Sequence, residues 1–128
     1  MSLTVPPALA AQAERGEVDD ATFVGCVRDS LPYAWTVVTG LVERLKAGDD
    51  EFADNRTPPP DEAARGQLLR MMASDAMRSA LERHFGVRLA FQNCHRVAVF
   101  DPAATARYEK FVSPRAQLLN QSPELVDC

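Results

Sequence analysis

The sequence predicts a mainly α-helical domain (α+β in the loose sense) of about five to six helices, with one β-hairpin near residues 87–100. Three observations carry that expectation. Apolar residues recur at spacings of three and four through most of the chain. Asp, Ser, Pro and Gly residues punctuate it where helices start and stop. Only the stretch Gly86 to Phe100 is rich in β-branched and aromatic residues with alternating polarity. The 128 residues amount to a single domain, 1–128, long enough to bury a core without staples.

Taken in order, Pro6 and Gly16 bracket a short, weak helix with Leu9, Ala10 and Ala13 as its apolar positions. Asp19 or Asp20 caps a second helix, whose contacts are Phe23, Val24 and Val27, with Cys26 near the same face. The third has Ser30 as its expected cap and Pro32 in its first turn. Leu31, Ala34, Trp35, Val38, Leu41, Val42 and Leu45 then form a broad stripe down to Gly48. Gly40, costly inside a helix, is read as a point of close helix approach. Residues 48–60 read as a loop. Its acidic cluster fails the calcium-loop template, which needs Gly at the sixth position and Glu at the twelfth. A fourth helix is expected from about Pro60 to His84, with Leu69, Met72, Ala73, Ala76 and Ala80 as its stripe, widened by Leu68, Met71, Met77 and Leu81. Gly86 ends it. The hairpin follows, turning at Gln92–Cys94. Asp101-Pro102 opens a fifth helix with Ala104, Tyr108 and Phe111 inward. Ser113-Pro114 repeats the device for a short helix carrying Leu118 and Leu119, and Ser122-Pro123 repeats it again.

The net charge of −4 is unevenly spread: −7 over residues 1–62, +4 over 63–96 and −1 over the rest. All six bases of the middle section are Arg, the residue suited to bidentate contact with carboxylate or phosphate. Arg78, Arg83, Arg88 and Arg96 are the candidate ligand-binding residues. A basic helix packed beside the acidic N-terminal half is the plainer use of the same charges. An acidic chain repels nucleic acid, so that partner is not expected. No apolar run is long enough to span a bilayer, and the first residues lack the basic and apolar regions of a secretory signal. The expected location is therefore cytoplasmic, without membrane association, and the three cysteines are expected as thiols, metal ligands or catalytic groups there.

Cys26, Cys94, His95 and Cys128 are the candidate metal ligands, for zinc or an iron–sulfur cluster. No Cys-X-X-Cys spacing joins them, so each would come from a different element. Cys94 and His95 are also a nucleophile and a base in sequence, but neighbours on a strand point to opposite faces. Glycine-rich phosphate loops and nucleophile-elbow motifs are absent from the sequence, and no motif specifies a reaction.

Several segments, among them Leu31-Pro-Tyr-Ala-Trp35, Thr57-Pro-Pro-Pro60, residues 85–100 and Gln117 to Cys128, resemble a family of short conserved hypothetical proteins from actinomycetes. The resemblance covers almost the whole chain and implies a bacterial cytoplasmic origin. It brings no activity. The leading expectation is a non-enzymatic interaction or regulatory module, homodimeric because of its broad apolar helix faces, with a second copy or another protein as partner. The alternatives are a thiol-based metal or redox protein, and a small accessory enzyme or anionic-ligand binder.

Overall fold

Four helices begin in the same way. Asp19, Asp61, Ser74 and Ser113 each accept, through a side-chain oxygen, the backbone N–H three residues on, at 2.7, 2.8, 3.2 and 3.1 Å. The computed structural model describes residues 2–93 and 95–121. Among these the helices are α1 (Pro7–Glu14), α2 (Asp20–Ser30), α3 (Pro32–Ala47), α4 (Glu62–Ala73), α5 (Asp75–Phe85), α6 (Thr105–Phe111) and α7 (Pro114–Leu119). The strands are β1 (Phe52–Asp54), β2 (Arg88–Gln92) and β3 (Arg96–Phe100). The mainly helical α+β class expected from the sequence is the one observed.

The strands form one antiparallel sheet in the order β1-β3-β2. Phe100 stands opposite both Phe52 and Arg88, and Arg96 stands opposite Gln92. Alternation then sorts the side chains. Ala53, Leu89, Val97 and Val99 face the large core, with Val27, Leu31, Val38, Leu68, Met71 and Leu81 from the first helices. Ala90, Ala98 and Phe100 face the other way, onto Ala104, Tyr108 and Phe111 of the C-terminal segment. The sheet is thus the middle layer of three, and every residue of β3 is buried. The hairpin strands β2 and β3 therefore have helices on both faces.

Several expectations need correction. The single helix expected from Pro60 to His84 is two, broken at Ser74, whose extended ψ of 116° lets it cap α5. Arg78 donates to the Met72 carbonyl at 2.8 Å, which satisfies the end of α4 across the break. The break resets the stripe: Leu68, Met71, Met72, Met77, Ala80 and Leu81 are buried, whereas Leu69, Ala73 and Ala76 are exposed. The supposed loop 48–60 contains β1. Ser30 does not cap α3, since its hydroxyl bonds Thr4 instead. Gln67 of α4 takes over, its Oε1 accepting from the Tyr33 and Ala34 N–H groups at 2.8 and 3.3 Å. Asp101 forms a turn by accepting the Ala103 N–H, and α6 starts only at Thr105. The Ser122-Pro123 helix lies outside the described residues.

The plainer use of the Arg-rich section is present. Arg83 of α5 makes two hydrogen bonds, at 2.6 and 2.9 Å, to Asp20 of α2. These hold the Asp20 carboxyl below its ordinary value of 3.8. A carboxyl depressed in the folded state stabilises fully above the unfolded value, and that contribution vanishes as pH falls through the folded one. Asp20→Asn should therefore flatten the acid limb of stability, read as urea midpoints from pH 6 down to 2. An unaltered limb would show that the contact is not coupled to folding.

Gly86 ends α5 at φ +67°, with its N–H on the Glu82 carbonyl at 2.9 Å. A Cβ there would meet nothing within 4 Å, so only backbone strain opposes one. Gly86→Ala should cost about 1–2 kcal/mol. Gly40 is the opposite case and a correction: a Cβ there also meets nothing within 4 Å, so no helix approaches it closely. Gly40→Ala should stabilise by about 0.5–1 kcal/mol in denaturant titration.

Candidate functional site

The sheet face turned toward α6 and α7 carries charge where its neighbours are apolar. Arg96 belongs to a fully buried strand and shares a face with Ala98 and Phe100. It is tolerated there because Asp54, at the end of β1, accepts from its Nε at 2.6 Å and its terminal nitrogen at 2.5 Å. Both side chains are only 10% exposed, and a charge so buried requires such a partner. Arg56 also approaches Asp54, at 3.7 Å, and Arg44 donates to its carbonyl at 3.2 Å.

Helix α6 lies over this face. Tyr108 and Phe111 point inward, and Phe111 and Phe52 both pack on Phe100, with ring centroids 5.6 and 5.1 Å away. Guanidinium groups cover the aromatic rings: Arg88 lies 3.5 Å above Tyr108, Arg107 lies 4.7 Å above Phe52 and Arg96 lies 5.1 Å above Phe111. The hairpin turn fastens the helices with amides. Gln92 donates to the Phe111 carbonyl and accepts from Asn120 at 2.7 Å, while Asn93 accepts from Gln117 at 2.6 Å. Asn93 takes φ +52°, which Asn tolerates.

Between α6, α7 and the sheet lies a cavity of about 460 Å³. Phe52, Phe100 and Phe111 floor it, Ala116, Leu119 and Asn120 close one side, and Arg56, Arg96, Arg107, Lys110 and Arg115 line it. Asp54 balances Arg96, and Asp50 pairs with Arg107 at 2.8 Å. Arg115 sits in the first turn of α7, against the helix dipole. Guanidinium and ammonium groups beside apolar side chains offer hydrogen-bond donors and positive charge that an anion could accept.

Of the candidate site residues that the structure describes, only Arg96 lines this groove. Arg78 bridges α4 and α5 and pairs with Asp75 at 2.6 Å. Arg83 and Arg88 share a shallow depression with Glu82, Gly86, Val87 and Pro102, away from Arg96. The four arginines therefore do not form one site. Sequence reasoning missed Arg56, Arg107, Lys110 and Arg115. The available signal was the charge of Arg96 inside an otherwise apolar strand.

Cys26 is buried on α2, where its thiol donates to the Thr4 carbonyl at 3.5 Å. This is the environment of a small buried hydrophobe. His95 is fully buried. Its Nδ1 lies 2.6 Å from the Asn93 carbonyl, an acceptor only, so Nδ1 carries the proton. His95 Nε2 and Asn93 Nδ2 have no hydrogen-bond partner among the described residues. Cys94 and Cys128 lie outside those residues. Among the described ones, no group of three or more His, Cys, Asp and Glu is placed to hold a metal, and no helix is long and apolar enough to cross a membrane.

The Asp54–Arg96 pair yields a sharp expectation. Asp54→Ala leaves the Arg96 charge buried alone and should cost about 3–5 kcal/mol. The double substitution Asp54→Leu with Arg96→Met should cost less than either corresponding single change in urea unfolding. Additive losses would show that the two side chains do not act as a pair.

No curated protein and no solved structure matches the chain. Residues 1–128 match a family model described as NucS shadow ORF. The chain belongs to that family, to which no function is assigned.

Proposed function

We propose that this chain is a non-enzymatic binding module that holds a small anionic ligand in the groove beneath α6 and α7. One observation carries the reading. Five cationic side chains, from β3, α6, α7 and the segment after β1, converge on one cavity in a chain whose net charge is −4. Uniform surface charge would not produce that concentration. The groove supplies donors and apolar carbon, as binding requires. Most of the apolar faces of α3, α4 and α5 that favoured a homodimer pack into the core of one chain, with Leu69, Ala73 and Ala76 left exposed, so the proposal does not depend on self-association. A cytoplasmic, actinomycete origin belongs to the same proposal. Twelve of the fourteen basic residues are Arg, and isoleucine is absent, a composition typical of GC-rich codon usage.

Pyrophosphate titration, followed by amide chemical shifts, tests the reading. Shifts should centre on α6, α7 and β3, and weaken as salt is raised. Lys110→Ser with Arg115→Ser, both exposed positions, should weaken binding at least tenfold without unfolding the protein. Shifts scattered over Lys46 and arginines outside the groove would count against it.

The family's description favours a second reading. A shadow ORF is a reading frame defined by its relation to another gene, here NucS, and the product then has no required ligand. Peptides of this chain, sought by mass spectrometry in cells that carry the gene, distinguish the two. Detection supports a working protein, and absence from an extract in which scarce proteins are seen supports the second reading.

A further inference from the structure

The groove is divided, and the division specifies its ligand further. Resting on the anion-binding reading, we propose that the ligand is a small organic phosphate: a phosphate head on an apolar or aromatic body. Two of the groove's charges are already answered, Arg96 by Asp54, whose Oδ2 accepts from two of its nitrogens, and Arg107 by Asp50. Arg56 shares Asp54 only at 3.7 Å and its side chain is 79% exposed; with the exposed Lys110 and Arg115 it places the charge left for a ligand, among the described residues, at the rim. Three cations from three separate segments exceed what one carboxylate neutralises, and a dianionic phosphomonoester matches them better. The floor has the opposite character. Phe52 is half-buried beside the buried Phe100 and Phe111, and Leu119 stands 68% exposed at the groove's edge. Leaving Leu119 in water forgoes a burial that contact with an apolar body would recover. A volume of about 460 Å³ falls in the range of pockets for small organic molecules. A bare inorganic anion would leave this apolar floor uncovered.

The shared chemistry could come from a nucleotide or from a lipid-like phosphate, and titration can separate them. Inorganic phosphate, adenosine monophosphate and octyl phosphate (below its micelle-forming concentration) are titrated into the intact chain and followed by calorimetry and amide shifts. At least one organic phosphate should bind tenfold or more tighter than inorganic phosphate. A gain confined to adenosine monophosphate identifies a flat ring as the body, and one confined to octyl phosphate a chain. Leu119→Ser, a surface change that spares the fold, should remove most of the gain while leaving inorganic phosphate binding intact. If inorganic phosphate binds in the groove and neither organic ester improves on it, this inference fails and the anion reading stands. If none of the three binds there, both fail.

Discussion

The contact on which the groove depends is the ion pair between Asp54 and Arg96. Stripping water from two charges is expensive, and attraction repays it only in good geometry. Here two guanidinium nitrogens of Arg96 converge on one oxygen, Asp54 Oδ2, and the contact spans two strands that are distant in sequence. The pair therefore works as a register lock. Sliding β1 by one residue against β3 would turn Asp54 toward the helical core and leave Arg96 without its partner. Asn55 reinforces the same register: its side chain accepts the Val97 N–H at 2.7 Å and donates to the His95 carbonyl at 3.2 Å. Three residues of strand would be a weak edge without these contacts.

The lock also explains the arrangement of the layers. A sheet buried on both faces usually shows continuous apolar strands. β3 departs from that pattern at one residue, and the departure faces α6 and α7 rather than the main core. The larger layer is built on buried aliphatic and Met side chains, with Phe23, Tyr33, Trp35, Phe85 and Phe91 packed at its margin. The smaller one is closed by rings, guanidinium groups and amides. Such a layer leaves polar groups beside apolar ones, the mixture a ligand pocket uses.

The parts legible in the sequence were those with local causes. The Asp19 and Ser113 caps, the end of α5 at Gly86, the α3 stripe and the alternation of β2 and β3 all follow from neighbouring residues. Failures occurred where a distant partner decides. Gln67 caps α3 from another helix, and β1 exists only because β3 accepts it. Ser74 could have been read as a cap, but the unbroken apolar content on either side concealed the stop. The groove was hidden for the same reason. Arg56 and Arg115 are far apart along the chain, and nothing local relates them. Arg96 alone announced it, as a charge in a strand with no polar face.

The amides of Gln92 and Asn93 have a consequence for motion. They attach the roof of the groove to the tip of a hairpin, while few contacts attach it to the helices of the main core. Hydrogen bonds of this kind contribute about 1 kcal/mol each, far less than the burial that holds the other layer. The roof and the hairpin tip therefore form a cooperative unit of lower stability than the rest, able to open while the main core stays closed. Such sub-global opening would expose the groove's aromatic side chains to solvent without unfolding the main core.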